Sequence, residues 1–146
     1  MDHEPYKLHV NEEGTRFQFQ SIGKRGIFEK IISLTPLSAN IYNLALLDYN
    51  LNTQEHSDIL ITDNGDMPKV LVTVMAVVKN YLNIHVDKKI YFEGSTPART
   101  RLYQISIGKV YESLKFDFNI YGLENGSWYN FEPNINFEGF LIEKKL

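Results

Sequence analysis

The sequence predicts a mixed α+β domain, in which a central, mostly antiparallel sheet contains one parallel strand–helix–strand unit and two main helices. Apolar and polar residues alternate with a period of two in the first third of the chain and again in the tail, as in strands with one wet face. Two middle segments instead have helical spacing, and each begins with a capping residue and a proline. We expect one domain, 1–146, because no linker interrupts the 146 residues.

The first half is predicted to be a meander of antiparallel strands. Residues 15–20 alternate apolar and polar side chains, and residues 27–34 resume the pattern after a Gly-Lys-Arg-Gly segment at 23–26. These segments therefore form a predicted hairpin with a basic tip. Residues 41–49 form the third predicted strand, and residues 59–61 form a short fourth one.

The first helix is predicted to begin at Asp66, a suitable N-cap, with Pro68 in its first turn. Its apolar residues follow the spacing of a largely buried helix: Val70, Leu71, Val74, Val77, Val78, Tyr81 and Leu82. A short strand at 89–93 follows, and then a second helix with Thr96 as N-cap and Pro97 at its first position. The predicted buried residues of this helix are Leu102, Tyr103, Ile105, Val110 and Leu114.

A strand–helix–strand unit within one sheet is normally parallel, so residues 59–62 are expected beside residues 89–93. Both strand-to-helix loops then lie at the same edge of the sheet, which is where open α/β sheets bind ligands. The chain is predicted to end with strands at 116–121, 128–131 and 137–142.

The composition excludes several classes of protein. A formal charge of −3 argues against general binding to nucleic acid or to an anionic membrane. No cysteine occurs and the four histidines lack metal-ligand spacing, so we expect no metal site. Without a secretory signal or an apolar run of ~20 residues, the chain is expected to be soluble and cytoplasmic.

The loop before the first helix consists of Asp63, Asn64, Gly65 and Asp66. The simplest explanation of this loop is structural, because Asn-Gly is typical of a turn and Asp66 is expected to cap the helix. The functional alternative is a site at the sheet edge, because paired carboxylates can bind a cation or divide into an acid and a base.

The loop before the second helix places the hydroxyls of Ser95 and Thr96 beside Arg99 and Arg101. A helix start disfavours cations by a few tenths to ~1 kcal/mol, so both arginines stand against local preference. We slightly favour a salt bridge that locks one arginine to an aspartate of the first loop. The alternative is capture of a small anion, a phosphate or carboxylate, by one arginine and the two hydroxyls. Residues two apart on a helix lie about 200° apart, so only one arginine is expected to face the loop edge.

Two further residues are candidates for catalysis. Glu93, at the end of the predicted strand, is the best-placed general base, and Tyr103, about two turns into the second helix, is a candidate acid. Each also has an ordinary structural explanation, which is a solvated strand end for Glu93 and a core side chain for Tyr103.

Two resemblances to known families follow from these segments. Residues 63–66, 69–74 and 94–103 resemble an uncharacterised bacterial family, a domain of unknown function, which implies no activity. The order of elements resembles the GNAT-type acyltransferase superfamily from its second strand onward, and residues 95–103 are similar to a helix in which a tyrosine protonates the departing thiolate. That resemblance implies acetyl-CoA as the cofactor, although the acidic loop at 63–66 departs from the basic pyrophosphate loop of the superfamily.

The sequence thus leaves three functions open. The first is a binding or interaction protein whose loops at 63–66 and 94–101 hold a small anionic ligand or a protein partner. The second is an acyl-CoA-dependent N-acyltransferase with Glu93 as base and Tyr103 as acid. The third is one member of a toxin–antitoxin or phage-defence pair, with its apolar and aromatic strands at the interface.

Overall fold

The computed structural model describes residues 4–50, 55–57 and 64–146, which form a mixed sheet with two long helices. The predicted α+β class is therefore confirmed. The helices are α1 (Met67–Ile84) and α2 (Pro97–Leu114). The strands are, in chain order, β1 (His9–Val10), β2 (Arg16–Gly23), β3 (Gly26–Pro36), β4 (Ile41–Asn50), β5 (Glu55–Ser57), β6 (Lys89–Phe92), β7 (Phe118–Glu124), β8 (Ser127–Asn130) and β9 (Gly139–Lys144).

The strands lie across the sheet in the order β1-β2-β3-β4-β6-β9-β7-β8, and β5 pairs with the far end of β4. Among the described strands, every pairing is antiparallel except that of β4 with β6. The chain crosses from β4 to β6 through α1, and α2 follows β6 directly. Both helices therefore begin beyond the carboxyl ends of the parallel pair, where α/β sheets form ligand sites.

The predicted basic-tipped hairpin is confirmed. β2 and β3 pair as far as Gly23 with Gly26, so Lys24 and Arg25 form a two-residue turn. Gly26 has φ +117°, which side chains rarely adopt, and this explains the glycine at that position. The strand predicted at 41–49 is also present, and the three predicted tail strands are each shifted by one to three residues.

The predicted partner of the strand at 89–93 is wrong. β6 pairs in parallel with β4, through Ile41 with Lys89 and Asn43 with Tyr91, and it pairs with β9 on its other side. Both edges of β6 are thus occupied by other strands. The strand predicted at 59–61 lies outside the described residues. Alternation identifies a strand but not its neighbour, which is why the sequence did not predict the β4–β6 pair.

Both helices begin near the predicted positions. Pro68 lies in the first turn of α1, and Pro97 follows Thr96, whose hydroxyl accepts a hydrogen bond from the backbone N–H of Arg99 at 3.2 Å. The seven apolar residues predicted to be buried in α1 are all buried. In α2 the prediction fails at Ile105, which is 44% exposed, because residue 107 rather than residue 105 faces the sheet.

Both helices pack against the same face of the sheet. Tyr81 of α1 contacts Tyr42 of β4 with ring centroids 5.9 Å apart, and Tyr103 of α2 contacts Phe92 of β6 at 5.1 Å. Tyr42 and Phe92 share this face because Tyr42 is the register partner of Ile90 and side chains alternate along a strand. The largest fully buried side chains of the core are Phe19, Phe92, Phe140, Ile32, Leu44, Leu82, Ile90, Ile107 and Ile142.

The opposite face of the sheet carries a polar network on Glu143. Its carboxylate accepts hydrogen bonds from Asn119 (3.0 Å) and Tyr121 (2.9 Å) and forms an ion pair with Lys89 at 3.2 Å. Burial acts to raise the pKa of this carboxyl, but the hydrogen bonds and the lysine charge outweigh burial, so the pKa of Glu143 is lowered. The ionised carboxylate therefore stabilises the folded state.

We expect Glu143→Gln to lower the free energy of unfolding at neutral pH by about 1 kcal/mol, because the ion pair and part of the hydrogen bonding are lost. A lowered folded-state pKa contributes stability above the unfolded value of about 4.3, and this contribution is lost as the pH falls through the folded value. Urea unfolding at about pH 7 and about pH 3 should therefore show a difference between the two proteins that shrinks in acid.

Glu112→Gln is the matched control, because Glu112 is exposed on α2 and its ion pair within the described residues is with the neighbouring Lys115. Its effect should stay within about 0.5 kcal/mol at both pH values. A Glu143→Gln difference that stays constant with pH contradicts the assigned role.

Candidate functional site

A cleft opens where the parallel strands β4 and β6 separate. Their pairing ends at Asn43 with Tyr91, whereas β4 continues to Asn50. β5 joins the same strand only from Asp48 onward. Between these two partners, residues 44–47 of β4 have no strand beside them on that edge in the described part of the chain. The cleft lies against this gap.

The cleft has a volume of about 350 Å³, within the range of small-molecule sites. Its apolar lining comes from β4 and the two helices, namely Leu44, Leu46, Met67, Leu71 and Leu102. Its polar lining is Asn43, Glu93, Ser95, Arg99 and Tyr103. The wall thus combines apolar side chains with polar groups that can orient a ligand, as in small-molecule sites. Four of the predicted site residues are therefore brought together here.

Tyr103 is the most deeply buried polar residue of the cleft. Its side chain is 7% exposed and packs edge-on against Phe92. Its hydroxyl has no hydrogen-bond partner among the described residues, although it lines the cleft. Burial raises the pKa of Tyr103, so the hydroxyl stays protonated at neutral pH. It can donate a hydrogen bond, or a proton, to a group in the cleft.

Arg99 is half-buried at the mouth of the cleft. One of its guanidinium nitrogens donates a hydrogen bond to the Ser95 hydroxyl at 3.1 Å. The loop is held against α2 by Thr100, whose hydroxyl accepts a hydrogen bond from the Gly94 N–H at 3.0 Å. These contacts fix the position of the arginine relative to the strand end.

The two arginines face different sides, as their spacing predicts. Arg101 donates a hydrogen bond to the Asn136 side chain at 2.8 Å and does not line the cleft. It lines a neighbouring groove together with Thr96. Of the two hydroxyl residues predicted to bind an anion with one arginine, Ser95 lines both spaces, whereas Thr96 lines the groove and not the cleft.

The described residues of the first loop, 64–66, do not line the cleft. The Asp66 carboxylate accepts hydrogen bonds from the hydroxyls of Tyr6 (2.5 Å) and Ser21 (2.6 Å), so it neither caps α1 with its side chain nor pairs with an arginine. Gly65 is exposed with φ +80°, as expected of a turn glycine. Asp63 lies outside the described residues, and so does any salt bridge that it forms.

Asn64 has a structural position rather than a ligand-facing one. It is 2% exposed, and its side chain accepts a hydrogen bond from the Arg25 N–H at 2.7 Å and donates one to the Gly26 carbonyl at 2.9 Å. It therefore ties the hairpin tip to the start of α1. A buried amide is useful there because it satisfies both a donor and an acceptor of the turn backbone.

Glu93 is exposed at the end of β6 and lines both the cleft and the neighbouring groove. Its carboxylate accepts a hydrogen bond from the Tyr91 hydroxyl at 2.9 Å. This geometry leaves the other carboxylate oxygen available to a ligand in either space. The assignment of Glu93 as a base and of Tyr103 as an acid remains a prediction.

The sequence did not identify the β4 wall of the cleft. Asn43, Leu44 and Leu46 were expected only as part of a strand, and Met67 and Leu71 only as part of a helix. Their role depends on where the β4–β6 pairing stops. One signal was available, since the strand predicted at 41–49 is nearly twice as long as the one predicted at 89–93, and part of it must extend beyond such a partner.

Neither described helix is long and apolar enough to cross a membrane. Within residues 4–50, 55–57 and 64–146, no three His, Asp or Glu side chains form a group that could hold a metal ion.

The fold and the cleft define a mixed α+β domain with a ligand-sized space at a parallel strand pair. The chain belongs to DUF6934, a family of unknown function, whose model matches residues 2–145. No curated protein and no solved structure matches the chain. The predicted resemblance to a family of unknown function is therefore confirmed, whereas no structural neighbour confirms the GNAT resemblance.

Proposed function

We propose that the protein binds a small anionic ligand in the cleft between β4 and β6, with Arg99 and Ser95 holding the charged group. One observation carries this proposal: a half-buried guanidinium and a buried tyrosine hydroxyl without a partner among the described residues line the same cleft. Buried polar groups are normally hydrogen-bonded. The hydroxyl of Tyr103 is therefore suited to a ligand oxygen.

The helix starts favour the same charge. The first residue of α1, Met67, and the loop before α2 both line the cleft, and helix N-termini carry a partial positive charge. α1 begins without a side-chain capping bond. Arg99 adds a full charge in a space partly shielded from water, where its attraction for a phosphate or carboxylate exceeds that of an exposed arginine.

The edge of β4 favours an elongated ligand. Residues 43–46 of β4 line the cleft, so a ligand that carries amides can lie along this strand. The leucines at 44 and 46 supply an apolar surface below it. A ligand with an anionic end and an extended polar chain fits this arrangement best.

A second candidate is an acyl-CoA-dependent acyltransferase. It is favoured by the order of antiparallel strands, helix, strand, helix and closing strands, and by the buried Tyr103 that lines the cleft. Coenzyme A combines phosphates with an extended arm that contains amides. The carboxylate of Asp66, one of two that argued against such a ligand, is occupied by Tyr6 and Ser21 and does not line the cleft.

The proposal is tested by thermal unfolding in the presence of sodium phosphate, sodium acetate or acetyl-CoA at constant ionic strength. A probe at 100 times its dissociation constant stabilises the folded state by ~2.7 kcal/mol. We expect at least one probe to raise the melting temperature in a saturable way. We expect Arg99→Met to weaken that probe about tenfold or more, because a charge-assisted hydrogen bond is lost.

The matched control is Lys109→Met, which removes an exposed cation from the same helix outside the cleft. It should leave the shift unchanged. A rise in melting temperature with acetyl-CoA supports the acyltransferase function. A rise with phosphate or acetate, but none with millimolar acetyl-CoA, excludes that function. If no probe binds, or if the Arg99→Met variant binds the probe as tightly as the unmodified chain does, the proposal of an anion site is wrong.

Membership of a toxin–antitoxin or phage-defence pair stays a prediction. The described surface does include large apolar side chains, such as Trp128 at 44% exposure, but single exposed residues of this kind are normal. Co-purification from the native host tests the idea, and a clean monomer without a partner counts against it.

A further inference from the structure

A second groove lies on the other side of the loop at 93–95. Its volume is about 590 Å³, and it runs between the first turns of α2 and the segment that leads into β9. Pro97, Ala98 and Phe137 give it apolar surface, while Arg101 and Glu138 bring charge. The groove shares Glu93, Gly94 and Ser95 with the cleft, whereas Arg101 and Glu138 line the groove and not the cleft.

The charged groups of the groove have only neutral partners. Arg101 donates one hydrogen bond, to the Asn136 side chain at 2.8 Å, out of the five that a guanidinium can make. Glu138 accepts one, from the Asn125 N–H at 2.9 Å. Among the described residues, no ion pair joins Arg101, Glu93 or Glu138 to an opposite charge. Charges of both signs thus line one groove without neutralising each other.

The two carboxylates lie at the same part of the groove. Glu93 accepts the hydrogen bond of the Tyr91 hydroxyl at 2.9 Å. A Cβ atom added at Gly139, the residue after Glu138, would lie 2.6 Å from the same hydroxyl, so the chain at Glu138 passes close to Glu93. An ammonium group placed there meets two negative charges.

We propose that this groove binds a small zwitterion, either an amino acid or a dipeptide, with its carboxylate on Arg101 and its ammonium group on Glu93 and Glu138. The planar guanidinium matches a carboxylate, and the two carboxylates supply acceptors for an ammonium group. Pro97 and Phe137 give contact surface for an apolar side chain. Glu93 also lines the cleft, whereas Arg101 and Glu138 belong to this groove and not to the cleft.

Calorimetric titration of the full chain with leucine and with leucyl-leucine tests the proposal. The matched probes are 3-methylbutylamine, which lacks the carboxylate of leucine, and 4-methylpentanoate, which lacks its amine. We expect saturable binding of at least one zwitterion and about tenfold or weaker binding of both single-charge probes, because each loses one charge-assisted contact. Tighter binding of leucine assigns a free amino acid, and tighter binding of leucyl-leucine assigns a peptide.

Two variants locate the binding. Arg101→Met and Glu138→Gln should each weaken the zwitterion about tenfold, whereas Lys109→Met should not. Neither Arg101 nor Glu138 lines the cleft, so a negative result with these two variants does not contradict the proposed anion site. The groove proposal is overturned if neither zwitterion binds, if a single-charge probe binds equally well, or if both variants bind as the unmodified chain does.

Discussion

Phe140→Ala is expected to lower the free energy of unfolding by about 3–5 kcal/mol, the usual cost of removing a buried phenyl ring. Phe140 is 0% exposed and lies on β9 between β6 and β7. Its ring contacts those of Phe92 (5.6 Å), Phe131 (6.2 Å) and Phe137 (6.4 Å). Because these rings come from β6 and from the connection between β8 and β9, the cavity cannot close by a shift of one of them.

The measurement is urea unfolding followed by tryptophan fluorescence, with Phe116→Ala as the matched control. Phe116 is 73% exposed, so the same substitution there should cost only about 0.5 kcal/mol or less. Natural domains have about 5–15 kcal/mol of stability, so the core variant should lose a large share of it. Equal effects of the two substitutions contradict the assignment of Phe140 to the centre of the core.

The elements that the sequence predicted well are those with a local cause. The glycines that flank Lys24 and Arg25 determine the hairpin, and the pair of Thr96 and Pro97 determines the start of α2. The buried side of α1 follows from its helical spacing alone. Each of these features depends on residues within a few positions, so no knowledge of distant partners was needed.

The features that the sequence missed depend on distant partners. β6 pairs in parallel with β4, and no local property of either strand indicates this pairing. Asp66 has the right type and position for a capping residue, yet Tyr6 and Ser21, far away in the chain, take its carboxylate. Residue type shows what a side chain can bond to, whereas the fold decides which partner is within reach.

The same distinction applies to the site. Glu93, Ser95, Arg99 and Tyr103 lie near each other in the chain, and all four line the cleft. Their partners across the cleft come from β4 and α1, which is why the shape of the space was not predictable. The expected lock of the two loops through Asp66 does not form, because that carboxylate bonds to two hydroxyls instead.

Gly94→Ala is the second substitution with a large expected effect, because the glycine lets the loop approach the backbone of α2. A Cβ atom at residue 94 lies 2.3 Å from the Thr100 nitrogen and 2.6 Å from the Arg99 carbonyl carbon. The loop must move to relieve this overlap, and the hydrogen bond from Gly94 to Thr100 breaks. We expect a loss of about 3 kcal/mol in the free energy of unfolding, the upper end for overpacking, and weaker ligand binding through Arg99.

Gly108→Ala provides the matched control, because it makes the same chemical change within α2. A Cβ atom there lies 3.7 Å from the Pro133 side chain, which is ordinary contact, and alanine favours a helix over glycine by up to about 1 kcal/mol. Urea unfolding should therefore show opposite signs for the two substitutions. If Gly94→Ala is neutral, the loop is free to move away from α2, and Arg99 is not fixed at the cleft by this contact.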